Sequence, residues 1–157
     1  MLKVGITTLA LLVTSPLWAF ICDLTVIKDS CWAKAPYDVT IDVIDSGASI
    51  PSKLATLTMS REEILGRQVF ECKASQILTY RARFKPAMWQ HDANLIYSSK
   101  SSLSLPALIH PGDTSWNLTL CYSTAFSGVP LPTEAISMCT CDYSSVPSIR
   151  LIQKKMI

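Results

Sequence analysis

The sequence predicts an all-β protein, an antiparallel β-sandwich of the immunoglobulin-like kind held together by disulfide bonds. Three observations lead to this fold class. Short segments with alternating apolar and polar residues recur along the chain, turn residues separate these segments, and helical periodicity is almost absent. Short alternating segments with regular turns between them are typical of sandwiches. A small closed β-barrel is the alternative architecture.

The strands are predicted from their period-two alternation. The clearest are residues 37–44 (YDVTIDVI), in which Val39, Ile41 and Val43 share one face, and residues 115–122 (SWNLTLCY). Such alternation is typical of a strand with one buried face. Weaker patterns predict five more strands, at residues 54–59, 67–74, 77–85, 95–105 and 136–143. The segment at residues 95–105 is polar in its middle, so a bulge or a split is expected there.

Turn residues separate these strands. Residues 45–47 (DSG) and 110–113 (HPGD) combine Gly with Asp or Pro, which tight turns favour. Ser60 and Glu63 have the spacing of a capping box, but Gly66 follows closely. We therefore expect a single helical turn or a loop there, between two strands.

The first 19 residues have the pattern of a secretory signal peptide. Lys3 precedes an apolar run over residues 4–12, and Pro16 and the small residue Ala19 follow. A positive start, a short apolar region and a small residue before the cleavage point are the features of such leaders. We expect cleavage after Ala19.

The remaining chain is long enough for one domain with a hydrophobic core but not comfortably for two. We expect a single sandwich domain over residues 20–143 and a C-terminal tail over residues 144–157. The formal net charge of the whole chain is only +2, which gives no electrostatic reason to expect a nucleic acid as partner. We also expect no membrane span once the leader is removed, because no later segment is long and apolar enough.

The cysteines predict a disulfide frame rather than free thiols, a metal site or a redox centre. They are even in number, they all follow the leader, and none has CxxC spacing. No metal or cofactor is therefore expected. The six residues are Cys22, Cys31, Cys72, Cys121, Cys139 and Cys141.

Cys139 and Cys141 form a CxC motif in the last predicted strand. In a strand, residues two apart point to the same face and lie about 6.5 Å apart along the chain, an orientation that opposes a mutual bridge. We expect each of them to pair elsewhere, one with Cys121, and we expect Cys22 to close a short loop with Cys31. The sequence leaves the full connectivity open.

No catalytic constellation stands out. The chain lacks a nucleophile elbow, an HExxH helix and a glycine-rich phosphate loop. We therefore expect no enzyme activity and name no catalytic residue. Two alternatives remain open: a secreted hydrolase that uses His91 or His110 as its base, and a carbohydrate-binding or small-ligand-binding module suggested by the aromatic loops.

Three segments are candidates for binding a partner. Residues 85–93 place a Met and a Trp in a predicted loop, where the Trp either folds back on the core or forms an interaction hot spot. Residues 126–133 form a rigid connection with two prolines. The tail is either a frayed end or a docking peptide whose apolar residues are buried by strand addition or as a short helix. The candidate contact residues are Met88, Trp89, Phe126, Val129, Leu131, Ile149, Leu151 and Ile152.

A small basic stripe lies on one predicted strand. Arg81, Arg83 and Lys85 share the outward face of residues 77–85. A stripe of this size is typical of a solvated face, or of a charged sheet edge that resists aggregation.

The leader, the sandwich pattern and three segments together carry a resemblance to a known group of proteins. The segments are WNLTLCY, FSGVPLP and CTC, at residues 116–122, 126–132 and 139–141. The chain resembles the small exported β-domain proteins that accompany the periplasmic and outer-membrane core of type IVB (Dot/Icm) secretion machines in Gram-negative bacteria. The resemblance implies a structural subunit held in a large assembly, and it transfers no functional residue.

Together these patterns predict a non-catalytic, exported interaction or scaffold protein. Its partners would be other envelope or secretion-complex proteins. We expect it in the periplasm or associated with the outer membrane, with release from the cell as the alternative.

Overall fold

The computed structural model describes residues 20–132 and 138–146. In these residues the chain forms β-strands and two short 3₁₀ turns, at Gln90–Asp92 and Tyr143–Ser145. The strands in chain order are β1 Phe20–Lys28, β2 Asp38–Asp45, β3 Ser52–Met59, β4 Leu65–Cys72, β5 Ile77–Lys85, β6 Tyr97–Ser98, β7 Leu103–Ser104 and β8 Ser115–Tyr122.

The strands form two sheets that pack face to face as a sandwich. The first sheet has the order β4-β1-β8, and the second has the order β3-β2-β5-β6, with β7 also paired to β5. The paired strands are antiparallel except β1 and β8, which run parallel from Ile21 opposite Ser115 to Lys28 opposite Tyr122. The structure therefore confirms the all-β sandwich, and it adds one parallel pair that the sequence did not indicate.

The alternation of apolar and polar residues predicted the bounds of most strands closely. β5 and β8 have the predicted bounds, and β2 is shifted by one residue. Val39, Ile41 and Val43 are fully buried, as the pattern required. The predicted strand at residues 95–105 is divided into β6 and β7, because its polar middle leaves the sheet.

β1 was not predicted, although it is the central strand of the first sheet. Its inner face carries Cys22, Leu24 and Val26, and its outer-face residues Thr25 and Ile27 are also buried. A strand that is buried on both faces does not show apolar and polar alternation. The period-two test therefore misses it.

The core is centred on an aromatic cluster around Trp32, which is fully buried. The Trp32 ring centroid lies 4.9 Å from that of Phe84, 5.0 Å from that of Tyr122 and 5.4 Å from that of Tyr37. Rings at these separations and tilted angles attract one another beyond the burial of their area. The cluster joins β5 of the second sheet to β8 of the first.

The first disulfide, Cys22–Cys72, corrects the expected Cys22–Cys31 pair. Cys22 lies opposite Phe70 and Cys72 lies opposite Phe20, so the two cysteines are diagonal neighbours on the inner face of β1 and β4. Diagonal positions on one face of an antiparallel pair lie within reach of each other. Proximity in sequence was a poor guide because Cys31 lies beyond the end of β1.

The CxC cysteines pair elsewhere, as predicted, in Cys31–Cys139 and Cys121–Cys141. The expected strand around them is wrong for its described part, residues 138–143, because residues 138–142 have no strand structure and Tyr143 begins a 3₁₀ turn. These residues lie against the end of β1, where Ser30 N–H donates to the backbone oxygen of Thr140 at 2.8 Å. The two bridges therefore join this segment to Cys31, which follows β1, and to Cys121 in β8.

The three disulfides also carry information about the compartment. The structure describes all six cysteines as bonded, and none is free. Such bonds persist in oxidising environments outside the cytoplasm. The protein is therefore suited to an extracytoplasmic location. No helix among residues 20–132 and 138–146 is long and apolar enough to cross a membrane.

A buried carboxylate joins the end of β1 to the end of β8. Asp29 is fully buried, and its Oδ1 accepts hydrogen bonds from the N–H groups of Cys31 and Trp32 at 3.0 and 3.1 Å. Its Oδ2 accepts from the N–H and hydroxyl of Ser123 at 2.6 and 2.8 Å. A buried charge is tolerated when its acceptor sites are filled in this way.

Gly66, near the start of β4, lies in close contact with the side chain of Met59 at the end of β3. The turn at residues 60–64 carries the chain from β3 to β4, and Glu63 Oε2 accepts from Ser60 N–H at 2.7 Å, which is one half of the expected capping box. A Cβ on Gly66 would lie 2.6 Å from Cγ of Met59. Met59 is fully buried, so its side chain has little room to move.

We expect Gly66→Ala to lower the free energy of unfolding by about 1–3 kcal/mol, because the added methyl overpacks this contact. Met59→Ala should also destabilise the fold by about 2–5 kcal/mol through the cavity it leaves. The double variant should be less destabilised than the sum of the two single variants. Urea unfolding of the four proteins measures this, and simple additivity would show that Gly66 and Met59 do not compete for space.

Candidate partner-binding surface

The loop at residues 86–96, between β5 and β6, carries the predicted contact residues Met88 and Trp89. β5 ends at Lys85 because Pro86 has no amide hydrogen for the ladder. Asn94 then adopts a left-handed conformation (φ +77°) that helps the chain reverse, since Asn tolerates this region better than most residues. Tyr97 pairs with Ala82 of β5, so the loop is closed by the sheet at both ends.

Three large apolar side chains of this loop are open to solvent. The exposed fractions are 49% for Trp89, 46% for Leu95 and 54% for Ile96. Met88 is half-buried and packs against the core. Met88 therefore holds the loop against the core, whereas Trp89 does not fold back on it, and a hot-spot role of Trp89 stays a prediction.

A groove of about 460 Å³ lies beside this loop, and we call it the loop groove. Phe84, Pro86 and Leu95 supply apolar lining. Phe84 also belongs to the aromatic cluster, with its ring stacked on that of Tyr97 at 5.8 Å. The apolar lining is therefore continuous with the rigid core.

The charged lining of the loop groove consists of Arg61, Arg83 and Lys85 with one carboxylate, Asp38. Two of these cations belong to the basic stripe of the sequence. Arg61 comes from the turn after β3 and Asp38 from the start of β2. No sequence pattern indicated that these two residues lie beside β5.

The orientation of Arg83 is fixed by Asp42, which is almost completely buried. Asp42 Oδ2 accepts from Arg83 Nη1 at 2.8 Å, and its Oδ1 accepts from the Thr56 hydroxyl at 2.6 Å and lies 3.8 Å from Lys53 Nζ. Burial alone would raise the pKa of Asp42, but the hydrogen bonds from Thr56 and Arg83 and the charges of Arg83 and Lys53 outweigh it. The pKa of Asp42 therefore lies below its ordinary value.

A buried lysine lies beneath the same end of the sandwich. Lys28 Nζ donates to the backbone oxygen of Ser60 at 2.7 Å and more weakly to that of Tyr37 at 3.4 Å. Burial lowers the pKa of Lys28, while the charges of Asp38 and Glu63 act in the opposite direction. The Lys28 ammonium thus ties β1 to the start of β2 and to the turn after β3.

The other predicted contact residues are spread over different environments. Phe126 is buried in the core against Tyr122, so its side chain offers almost no surface. Val129 is half-buried and packs against the core, and Leu131 is exposed. The tail residues Ile149, Leu151 and Ile152, like the leader at residues 1–19, lie outside the described residues.

The two histidines make local contacts. The His91 ring stacks on Trp89, with centroids 6.4 Å apart and planes 16° apart. His110 Nδ1 lies 3.6 Å from Oδ2 of Asp113 in the turn before β8, where Gly112 has the positive φ expected for this turn. His91 therefore belongs to the candidate surface, whereas His110 belongs to a turn.

One group of side chains has the spacing of a metal site but not its chemistry. Asp29, Cys31 and Cys139 have potential ligand atoms within 4.8 Å of one another. Both sulfurs are in the Cys31–Cys139 disulfide, whereas metals bind thiolates. The Asp29 oxygens accept four hydrogen bonds, so this cluster is structural.

A second groove, of about 540 Å³, lies between the edges of β3 and β4 at the opposite end of these strands, and we call it the edge groove. Its charged lining is balanced, with Asp45 and Glu71 against Lys53 and Lys73. Charged residues on exposed strand edges commonly prevent unwanted strand pairing. The edge groove therefore has no charge preference of the kind that the loop groove has.

No protein-family model, curated protein or solved structure matches this chain.

Asp42→Asn should lower the free energy of unfolding at neutral pH by about 1–3 kcal/mol, because it weakens charged hydrogen bonds to Thr56 and Arg83. The lowered pKa means that Asp42 contributes stability above its unfolded-state pKa and that this contribution is lost as the pH falls through the folded-state pKa. The variant should therefore lose less stability than the wild type between about pH 5 and 2.

Denaturant unfolding across this pH range tests the expectation, with Glu62→Gln, an exposed carboxylate, as the matched control. An unchanged acid dependence in Asp42→Asn would contradict the proposed role of Asp42.

Proposed function

We propose that this protein is a non-catalytic, exported interaction protein, a structural subunit of a bacterial envelope assembly such as the core of a type IVB secretion machine. The observation that carries the proposal is that Trp89, Leu95 and Ile96 are all exposed on one loop, which packs against the core through Met88 and Tyr97. Large apolar side chains exposed on one segment mark candidate sites for binding other proteins.

The way this loop is held supports binding over simple exposure. Met88 packs against the core, and Tyr97 stacks on Phe84 at the other end of the loop. A surface that is ordered before binding loses less conformational entropy on association. Trp is also the residue type most enriched among interface hot spots.

The covalent frame supports a structural role outside the cytoplasm. Bridges with sequence separations of 50, 108 and 20 residues connect distant parts of the described chain. Each bridge contributes about 2–4 kcal/mol in the usual model. Export through a signal peptide over residues 1–19, and a location in the periplasm or at the outer membrane, are parts of the proposal.

We expect affinity capture of the tagged chain, after crosslinking in intact bacteria and solubilisation of the envelope, to recover a fixed set of envelope proteins. Trp89→Ala should reduce this recovery about tenfold or more at equal protein level, since truncating a hot-spot residue costs at least about 2 kcal/mol of binding energy. Quantitative mass spectrometry measures the recovery.

Ile50→Ala is the matched control, because Ile50 is 81% exposed and lies after the opposite end of β2. It should leave recovery unchanged. A wild-type chain that is recovered alone, or equal losses in both variants, would contradict the proposed function.

A further inference from the structure

The loop groove is lined by three cations and one carboxylate, and since Asp42 pairs with Arg83 and Asp38 with Arg61, one positive charge, that of Lys85, has no ion pair among the described residues of the groove. Its single carboxylate, Asp38, is already engaged, because its Oδ1 accepts from Arg61 N–H at 2.8 Å and lies 3.8 Å from Arg61 Nε. The buried Lys28 adds a positive charge near Asp38, and the carboxylate of Glu63 opposes it. Asp38 is thus partly neutralised by Arg61, and it is the single carboxylate among the described lining residues.

Lys85 is the lining cation most available to a ligand. It is exposed, and no hydrogen bond or ion pair joins its ammonium to another residue within 20–132 or 138–146. Arg83 is held toward the sheet by Asp42, and Arg61 is held near Asp38. The two arginines are thus positioned by carboxylates, whereas the Lys85 ammonium has no such partner among the described residues.

The apolar lining adds a second requirement for the occupant. Phe84, Pro86 and Leu95 line the same groove as the three cations. An occupant that satisfied only the charges would leave this apolar surface in contact with water. The matching chemistry combines carboxylates with an aliphatic or aromatic side chain.

We propose that the loop groove binds an acidic peptide segment of a partner protein, with an apolar side chain of that segment against Phe84 and Leu95 and its carboxylates near Lys85 and Arg61. This inference rests on the proposed function and adds the chemistry of the partner. The charges contribute mainly selectivity and the association rate, and the apolar side chain contributes most of the affinity.

The sign of the charge argues against the protein's own C-terminal tail as the occupant. The tail carries Arg150, Lys154 and Lys155 and no acidic side chain after Asp142. A cationic segment is repelled by a cationic groove. The edge groove, with balanced charge, gives no comparable preference.

An anionic membrane surface is the other partner that cations beside exposed aromatic and aliphatic residues could bind. The concave shape, about 460 Å³ in volume with apolar lining, favours an inserted side chain over a flat bilayer. Binding to lipid is therefore an outcome that the experiment has to separate from binding to peptide.

The test is selection of a random twelve-residue peptide library, displayed on phage, against the folded, disulfide-bonded protein. The enriched peptides should be net negative and should carry at least one aromatic or aliphatic residue. Synthesised versions should bind at least about tenfold more weakly to Lys85→Glu. Their affinity for the wild type should also fall several-fold when the salt concentration rises from about 0.05 to 0.5 M.

Lys73→Glu is the matched control, because Lys73 lines the edge groove beyond the opposite end of β5. It should bind the peptides like the wild type. Lys85→Gln, which adds no negative charge beside Asp38, should weaken binding less than Lys85→Glu does, and thermal melting should show that all three variants fold.

Four results would overturn the inference: no enrichment, enriched peptides without acidic residues, equal binding to Lys85→Glu, or equal losses in Lys73→Glu. Cosedimentation with phosphatidylglycerol vesicles that depends on Lys85 would also overturn it, by assigning the surface to lipid. Capture of envelope partners that depends on Trp89, together with any of these results, would leave the proposed function standing while the acidic-peptide inference fails.

Discussion

Packing of Phe84 against the aromatic core determines where the candidate surface lies. Its ring contacts those of Trp32, Tyr37 and Tyr97, which fixes the inward face of β5 at its last residues. Strand alternation then places the neighbouring cations Arg83 and Lys85 on the outward face. Pro86 ends the ladder immediately afterwards, and the chain has to leave as a loop. One short stretch of sequence therefore supplies the apolar lining, two of the charges and the start of the exposed loop.

The rest of the frame keeps this surface in place. Asp29 and the Cys121–Cys141 and Cys31–Cys139 bridges hold the ends of β1 and β8 and the segment at residues 138–142 together. Cys22–Cys72 joins β1 to β4 across the inner face. A domain cross-linked in this way holds its loops in one conformation while Trp89 is exposed. A surface that is ordered before binding loses less conformational entropy on association.

The predictable and unpredictable parts of the structure differ in physical origin. β2, β5 and β8 followed from alternation because each has one buried face, whereas β1 was missed because both of its faces are buried. The predicted pairing of Cys121 with a CxC cysteine is confirmed. The predicted Cys22–Cys31 bridge is wrong, because the register of β1 and β4 places Cys22 beside Cys72. The position of Trp89 in a loop could be predicted from the sequence. The loop groove could not be predicted, because Asp38, Arg61 and Lys85 come together only after β2, β3 and β5 have paired.

The most direct test of the central claim is hydrogen–deuterium exchange of the chain, free and within its purified native assembly. Slower exchange in the assembly should be confined to residues 85–96 and to the turn at residues 60–64, since those backbone amides lie at the proposed interface. Exchange at residues 52–55 and 68–73, which line the edge groove, should be unchanged. Protection of the edge groove with an unaltered loop, or no protection at all, would contradict the account.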